Sequence, residues 1–154
     1  MVFDPQPNRG TSLQVQRVFR APREKVFRAW TEPEALKKWW GPVGGTTPVV
    51  EIDLRVGGKY RFGMQFPEAE IFYVSGTYQE VRAPEKLVFT WRWEQPDMDF
   101  GESLVTIEFH AHDHTTEVTL KHENFPNEEL CRRHNEGWRD FFDNFAQLLE
   151  RKEV

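Results

Sequence analysis

Residues 127–151 read NEELCRRHNEGWRDFFDNFAQLLER, and this stretch decides the fold. Leu130, Cys131, His134, Trp138, Phe141, Phe142, Phe145, Leu148 and Leu149 recur at spacings of three and four. At roughly 100° per residue they fall within an arc of about 120°, one face of a helix. Arg132, Glu136, Arg139, Asp140, Asp143 and Glu150 lie outside that arc. A run of about 24 residues makes a rod about 36 Å long, enough to cross a small domain. So heavy an aromatic stripe requires a large apolar partner, and the preceding chain must supply it.

That partner is a series of strands. Leu13, Val15, Arg17 and Phe19 alternate with mostly polar neighbours, which predicts a strand over 12–20. Ala21-Pro22 stops it, and Val26, Phe27 and Trp30 predict a short amphipathic helix from Arg23. Thr31 stands where it can cap a second short helix, with Pro33 in its first turn, Leu36 as its apolar contact and an end near Lys38. Trp39-Trp40-Gly41-Pro42 and Gly44-Gly45 read as loop. The period then changes from about 3.6 to 2. Strands are predicted over 50–54, 60–66, 71–81, 87–93, 105–111 and around Val118 and Leu120. Gly57-Gly58, Ala83-Pro84-Glu85 and His112-Asp113-His114 read as turns, 95–101 as a polar loop, and Asn127 as the cap of the last helix.

One strand, two short helices, about six consecutive strands and a long helix make an α+β pattern without βαβ alternation. The simplest packing wraps a curved antiparallel sheet of about seven strands around the last helix. Three helices of these lengths do not fill a strongly curved sheet, so a cavity between sheet and helix is expected. Residues 1–11, with Pro5, Pro7 and Gly10, are expected to form a loose tail, and 12–152 a single domain.

At 154 residues the chain is long enough to bury about two thirds of its unfolded surface. Its 38% hydrophobic and 14% aromatic content argue for a globular chain with a bulky core. A net charge of −5 argues against a general nucleic-acid binder, which needs a dense basic surface. The single cysteine, Cys131, excludes an intramolecular disulfide, fits a reducing compartment, and lies on the apolar face as core filling. The N-terminus lacks the apolar core of a signal peptide, and no apolar run approaches the ~20 residues of a membrane span. A cytoplasmic location is therefore expected.

Specific motifs recur in this order. They are Ala21-Pro22-Arg23-Glu24-Lys25-Val26-Phe27-Arg28-Ala29-Trp30-Thr31, Trp39-Trp40-Gly41-Pro42 and Glu51-Ile52-Asp53-Leu54-Arg55-Val56-Gly57-Gly58. Gly76-Thr77-Tyr78, Pro84-Glu85-Lys86-Leu87, Ser103-Leu104-Val105-Thr106-Ile107 and His134-Asn135-Glu136-Gly137-Trp138 follow. With them the chain resembles the activator of heat-shock-protein-90 ATPase homologue-like family, within the START and birch-pollen-allergen (SRPBCC) superfamily of helix-grip folds. The resemblance covers residues 13–150 and implies a helix-grip fold. It also implies binding of an apolar molecule between sheet and helix, as superfamily members bind lipids, hormones or polyketides. Relatives that are cyclases, aromatases or hydrolases imply an enzyme as an alternative. The likeness to one domain of a co-chaperone implies a chaperone partner and a protein-interaction module as another. The separate N-terminal region with which the eukaryotic co-chaperone engages its partner is expected to be lacking.

The ligand-facing set expected for the cavity is Trp39, Trp40, Phe62, Met64, Tyr73, Trp91, Trp93, His134, Trp138 and Phe142. Trp39 and Trp40 would form a lid, and Tyr73 would offer a hydroxyl. His134, on the apolar arc one turn before Trp138, is either a core imidazole bonded to a backbone carbonyl or a polar anchor in the cavity. Burial would bring its pKa down. Glu51 and Asp53 share one strand face: inward, they are candidate polar anchors; outward, they are solvated charges paired with Lys59, Arg61 or the Arg55 turn. Glu108 and His110 read as outward polar residues. His110, His112, His114 and His122 lack Glu-x-x-His or Cys-x-x-Cys spacing, so no metal is expected. Absence of a Gly-x-Ser-x-Gly elbow or phosphate loop argues against nucleotide hydrolysis. The sequence therefore reads as a monomer or homodimer that binds a small hydrophobic or aromatic molecule without a cofactor.

Overall fold

The alternation of apolar and polar residues resolves into one antiparallel sheet in a computed structural model that describes residues 11–41 and 44–151. Of the tail expected over residues 1–11, residues 1–10 lie outside the described residues, as do Pro42, Val43 and the chain beyond Arg151, while Thr11 already belongs to a strand. The elements are β1 (Thr11–Phe19), α1 (Arg23–Ala29), α2 (Pro33–Trp39), β2 (Thr46–Ile52), β3 (Lys59–Gln65), β4 (Phe72–Arg82), β5 (Lys86–Trp93), β6 (Ser103–His112), β7 (Thr115–Phe125) and α3 (Glu128–Glu150). The seven strands run in the order β1-β7-β6-β5-β4-β3-β2, so the first strand joins the last and the sheet stays open at β1 and β2. The sheet curves around α3, the helix-grip arrangement.

Strand parity sets the inner face. Leu87, Phe89 and Trp91 of β5, Val105, Ile107 and Phe109 of β6, and Val118, Leu120 and His122 of β7 are all buried. Their alternates Val88, Thr106, Glu108, Thr119 and Lys121 stand at least partly in solvent. The Glu108–His110 pair lies on the solvent side at 3.5 Å, as its pattern predicts.

Helix α3 starts where Asn127 predicts. The Asn127 side chain accepts the Leu130 N–H at 2.9 Å, and Glu128 and Glu129 complement the positive end of the helix. Its C-terminal half packs tightly. Phe145 lies 4.9 Å from Phe19 and 4.8 Å from Trp39 between ring centroids, and Phe142 lies 5.6 Å from Phe19. Burying each such side chain stabilises the fold by about 1.5–3 kcal/mol. Thr31 does not cap α2; the cap is Glu32, and the Thr31 hydroxyl donates back to the Phe27 carbonyl at 2.9 Å. The Gly57-Gly58 turn has a steric cause. A Cβ on Gly58 would sit 2.0 Å from the Asp53 carbonyl oxygen, and Gly57 adopts φ +85°.

Only Trp40 of the pair belongs to the expected loop: Trp39 is helical, and Trp40, extended, opens the segment that follows. Trp39 closes α2 and donates its indole N–H to the Ala29 carbonyl at 3.0 Å, while Trp40 packs on Phe62, Trp138 and Phe141. Both are buried, because two indoles left in solvent would forfeit more apolar burial than a Gly/Pro loop can return.

Candidate functional site

The N-terminal half of α3 touches β5 and β7 through His134 and Trp138 but leaves a gap toward the ends of β3 and β4. Between it, the ends of β3, β4 and β5, and the loop joining β5 to β6 lies an open-sided cavity of about 550 Å³. Its walls are Met64, Phe66, Phe72, Trp91, Trp93, Met98, Phe100, Leu130, Gly137, Trp138 and Phe141 with His134, and its charged residues are Asp97, Asp99, Arg133 and Asp140. The volume lies within the ~300–1,000 Å³ typical of small-molecule pockets.

Five of the ten expected ligand-facing residues meet here: Met64, Trp91, Trp93, His134 and Trp138. The other five stand elsewhere. Trp39 and Phe142 belong to the sealed core beside Phe145, and Trp40 and Phe62 pack on each other at 4.9 Å. Around Trp40, Tyr60 and Phe62 only about 10 Å³ stays open. Tyr73 is on the opposite face of the sheet, covered by the Arg61 guanidinium 3.7 Å from its ring centroid. It pairs with Gly63 in register, one residue out of phase with Phe62 and Met64, and a one-residue offset reverses the face. Glu51 and Asp53 also face solvent. Asp53 is tied to Arg55 at 2.9 Å, and Arg61, opposite Glu51, turns instead to Glu94 at 2.9 Å.

Helical geometry explains the exchange of Phe142 for Phe141. Measured from His134, Phe141 is rotated by only about 20°, whereas Phe142 is rotated by about 80°, toward β1. Phe66 and Phe72, stacked with centroids 6.0 Å apart, and Phe100 and Leu130 also escaped sequence reading. Phe66 continues the two-residue period of Phe62 and Met64 just beyond the end of β3, whereas Met98 and Phe100 sit within a polar loop, where no period exposes them.

Two imidazoles are built into the wall and the layer beneath it. His134 Nδ1–H donates to the Leu130 carbonyl at 2.8 Å, since a carbonyl can only accept, and His134 Nε2 accepts the Trp93 indole N–H at 3.0 Å. Behind it, His122 Nδ1 accepts the Trp138 indole N–H at 3.0 Å. His122 Nε2 lies 2.7 Å from Ser103 Oγ, whose single proton goes to the Trp91 carbonyl at 3.1 Å. Ser103 must therefore accept from His122 Nε2–H. This bonding assigns opposite tautomers to the two rings, and both are neutral. Burial pushes His122 well below its ordinary value of 6.5, and the neighbouring His134 ring, which would repel a second protonated imidazole, acts the same way. Burial also lowers His134, the Leu130 carbonyl opposing and Arg133 assisting. His122 has a sequence signal, the alternation with Val118 and Leu120 that carries it to the inner face.

The model of the family described as activator of Hsp90 ATPase homolog 1-like protein matches residues 20–150. The chain belongs to this family. Similar folds are found in solved structures of proteins from several bacteria. Protein CV1439 from Chromobacterium violaceum is 29% identical, with 94% of this chain and 98% of that one covered and a TM-score of 0.82. Protein NE0264 from Nitrosomonas europaea is 27% identical, over 98% and 99%, with a TM-score of 0.78. The AHSA1 protein from Silicibacter pomeroyi is also 27% identical, over 92% and 99%, with a TM-score of 0.82. Among curated proteins none matches the chain.

In this Hsp90 ATPase activator homolog 1-like chain His134, Tyr73 and Asp53 do not converge on one cavity. His134 is in the cavity wall, Tyr73 on the outer sheet face and Asp53 in the β2–β3 turn. The buried Ser103–His122 contact has the wrong polarity for a nucleophile and base. The serine accepts the imidazole proton, and the ring's remaining lone pair is occupied by Trp138. Among the described residues no group of three or more His, Cys, Asp or Glu is placed to hold a metal. No described helix is long and apolar enough to cross a membrane.

Proposed function

We propose that the chain binds a small hydrophobic or aromatic molecule in the cavity between the sheet and the N-terminal half of α3. One observation carries this reading: a hollow of about 550 Å³ is left open, whereas only about 10 Å³ remains around Trp40, Tyr60 and Phe62 in the neighbouring core. Its wall is mostly aromatic, and the polar ring atoms of His134 and Trp93 bond each other. A ligand in such a place gains affinity from apolar contact and aromatic stacking, with polar groups at the mouth orienting it.

The test is native mass spectrometry after incubation with a mixture of lipids and aromatic metabolites, repeated on Leu130→Trp, which fills the hollow from its wall. Discrete adducts on the parent protein, absent from the variant, are the expected result. A bare protein mass from both, or adducts that persist in Leu130→Trp, would overturn the reading.

A further inference from the structure

We infer that the cavity selects organic cations: molecules with an aromatic or hydrophobic body and a protonated amine. The inference rests on the binding reading above and adds the charge that the mouth recognises. The charged groups come from two elements. The β5–β6 loop brings Asp97 and Asp99, and α3 brings Arg133 and Asp140. Asp99 is neutralised by Arg92 at 2.9 Å, and Arg133 is met by Glu129 at 3.4 Å. Among the described residues no ion pair holds Asp97 or Asp140, so two uncompensated carboxylates flank the opening. The third side, formed by Met64, Phe66 and Phe72, carries no charge.

The wall favours the same sign. Trp91 and Trp93 meet edge to face at 5.5 Å and 89°, and Phe72 lies 5.8 Å from Trp93. Trp93, Phe66, Phe72 and Phe100, the more exposed rings of the wall, can offer negative π faces to a cation, whereas a ligand carboxylate would be repelled by both aspartates. His134 adds no positive charge, because both ring nitrogens are occupied and the ring is neutral.

Gly137 is an independent sign that something is meant to lie between the two charged helix positions. It is inside α3, where glycine is destabilising relative to alanine, yet a Cβ there would meet nothing within 4 Å. Core packing therefore does not account for glycine at this position. It keeps bare backbone at the cavity surface one turn from Arg133 and from Phe141, beside Asp140, and so widens the passage past the carboxylate. A local rule broken without a packing reason marks a functional surface.

Isothermal titration calorimetry with three probes of one skeleton, naphthylethylamine, naphthylethanol and naphthylacetate, tests the inference. The amine is expected to bind about tenfold more tightly than the acetate at low ionic strength, the sum of two partly exposed charge contacts. High salt should shrink that ratio. In Asp97→Asn/Asp140→Asn, whose altered side chains are exposed and whose fold is checked by circular dichroism, the advantage of the amine over the alcohol should shrink severalfold. Equal binding of all three probes, tighter binding of the acetate, or a preference for the amine that is undiminished in the double variant would overturn the charge inference while leaving the cavity reading standing. Binding of none would overturn both.

Discussion

The two halves of α3 share one amphipathic pattern and end in opposite environments. Toward the C-terminus, Phe142, Phe145 and Leu148 are sealed against Phe19, Trp30 and Trp39. Toward the N-terminus, Leu130, His134, Gly137 and Phe141 are only partly covered and wall a hollow. The difference lies in what faces each half. The short helices α1 and α2 plug the space at one end, while at the other the β5–β6 loop borders the hollow. Apolar residues on a helix thus report that a partner surface exists and leave open whether it fits closely.

The largest expected contrast comes from truncating one phenylalanine in each half. Phe145→Ala empties a filled site and should cost about 3–5 kcal/mol in denaturant unfolding. Phe141→Ala, already beside a hollow, should cost roughly 1–2 kcal/mol, close to the transfer contribution alone. Equal losses would break the comparison.

The two indole–imidazole bonds should separate by a smaller margin. Trp138→Phe strands the buried His122 Nδ1 without a donor and should cost about 1–3 kcal/mol. In Trp93→Phe the partly exposed His134 can take a water instead, and the loss attributable to that bond should stay under about 1 kcal/mol. Urea midpoints of the two variants, with their ligand affinities, make the check.

Acid should act through the same pair of rings. Both are lowered in the folded state, so below pH 6.5 the unfolded chain takes up protons that the folded chain refuses. Their contribution is therefore complete above 6.5 and is lost as pH falls below it toward the depressed folded values. Unfolding midpoints followed from neutral pH downward should decline across that window, and less steeply in His122→Gln. A flat profile would mean that the rings are not held neutral.

The smallest effect has the opposite sign. Gly137→Ala should raise stability by about 0.5–1 kcal/mol, since helix entropy is regained and nothing clashes. The same variant should weaken ligand binding, and a gain in stability with unchanged affinity would remove Gly137 from the site.

Much of the site was legible one residue at a time. The 2-residue period carried Met64, Trp91 and Trp93 to one face, and the helical period carried His134 and Trp138 to another. Tyr73 was lost because β4 pairs it with Gly63 rather than with Phe62 or Met64, a register no single strand contains. The lid expected of Trp39 and Trp40 failed because Gly41 and Gly44 suggested a loop, while burial of two indoles extended α2 to Trp39.

By itself the sequence determined the order of elements, the cap at Asn127, the long apolar stripe and the curved sheet needed to cover it, because these follow from local spacing and from the cost of exposed apolar area. Only the tertiary structure decided that the stripe is half core and half cavity wall, that Phe141 and not Phe142 turns to the hollow, and that Glu51, Asp53 and Tyr73 stay outside. Those outcomes depend on strand register, on a rotation of about 100° per helical residue and on which segments arrive to plug the space, none of which is encoded in a period.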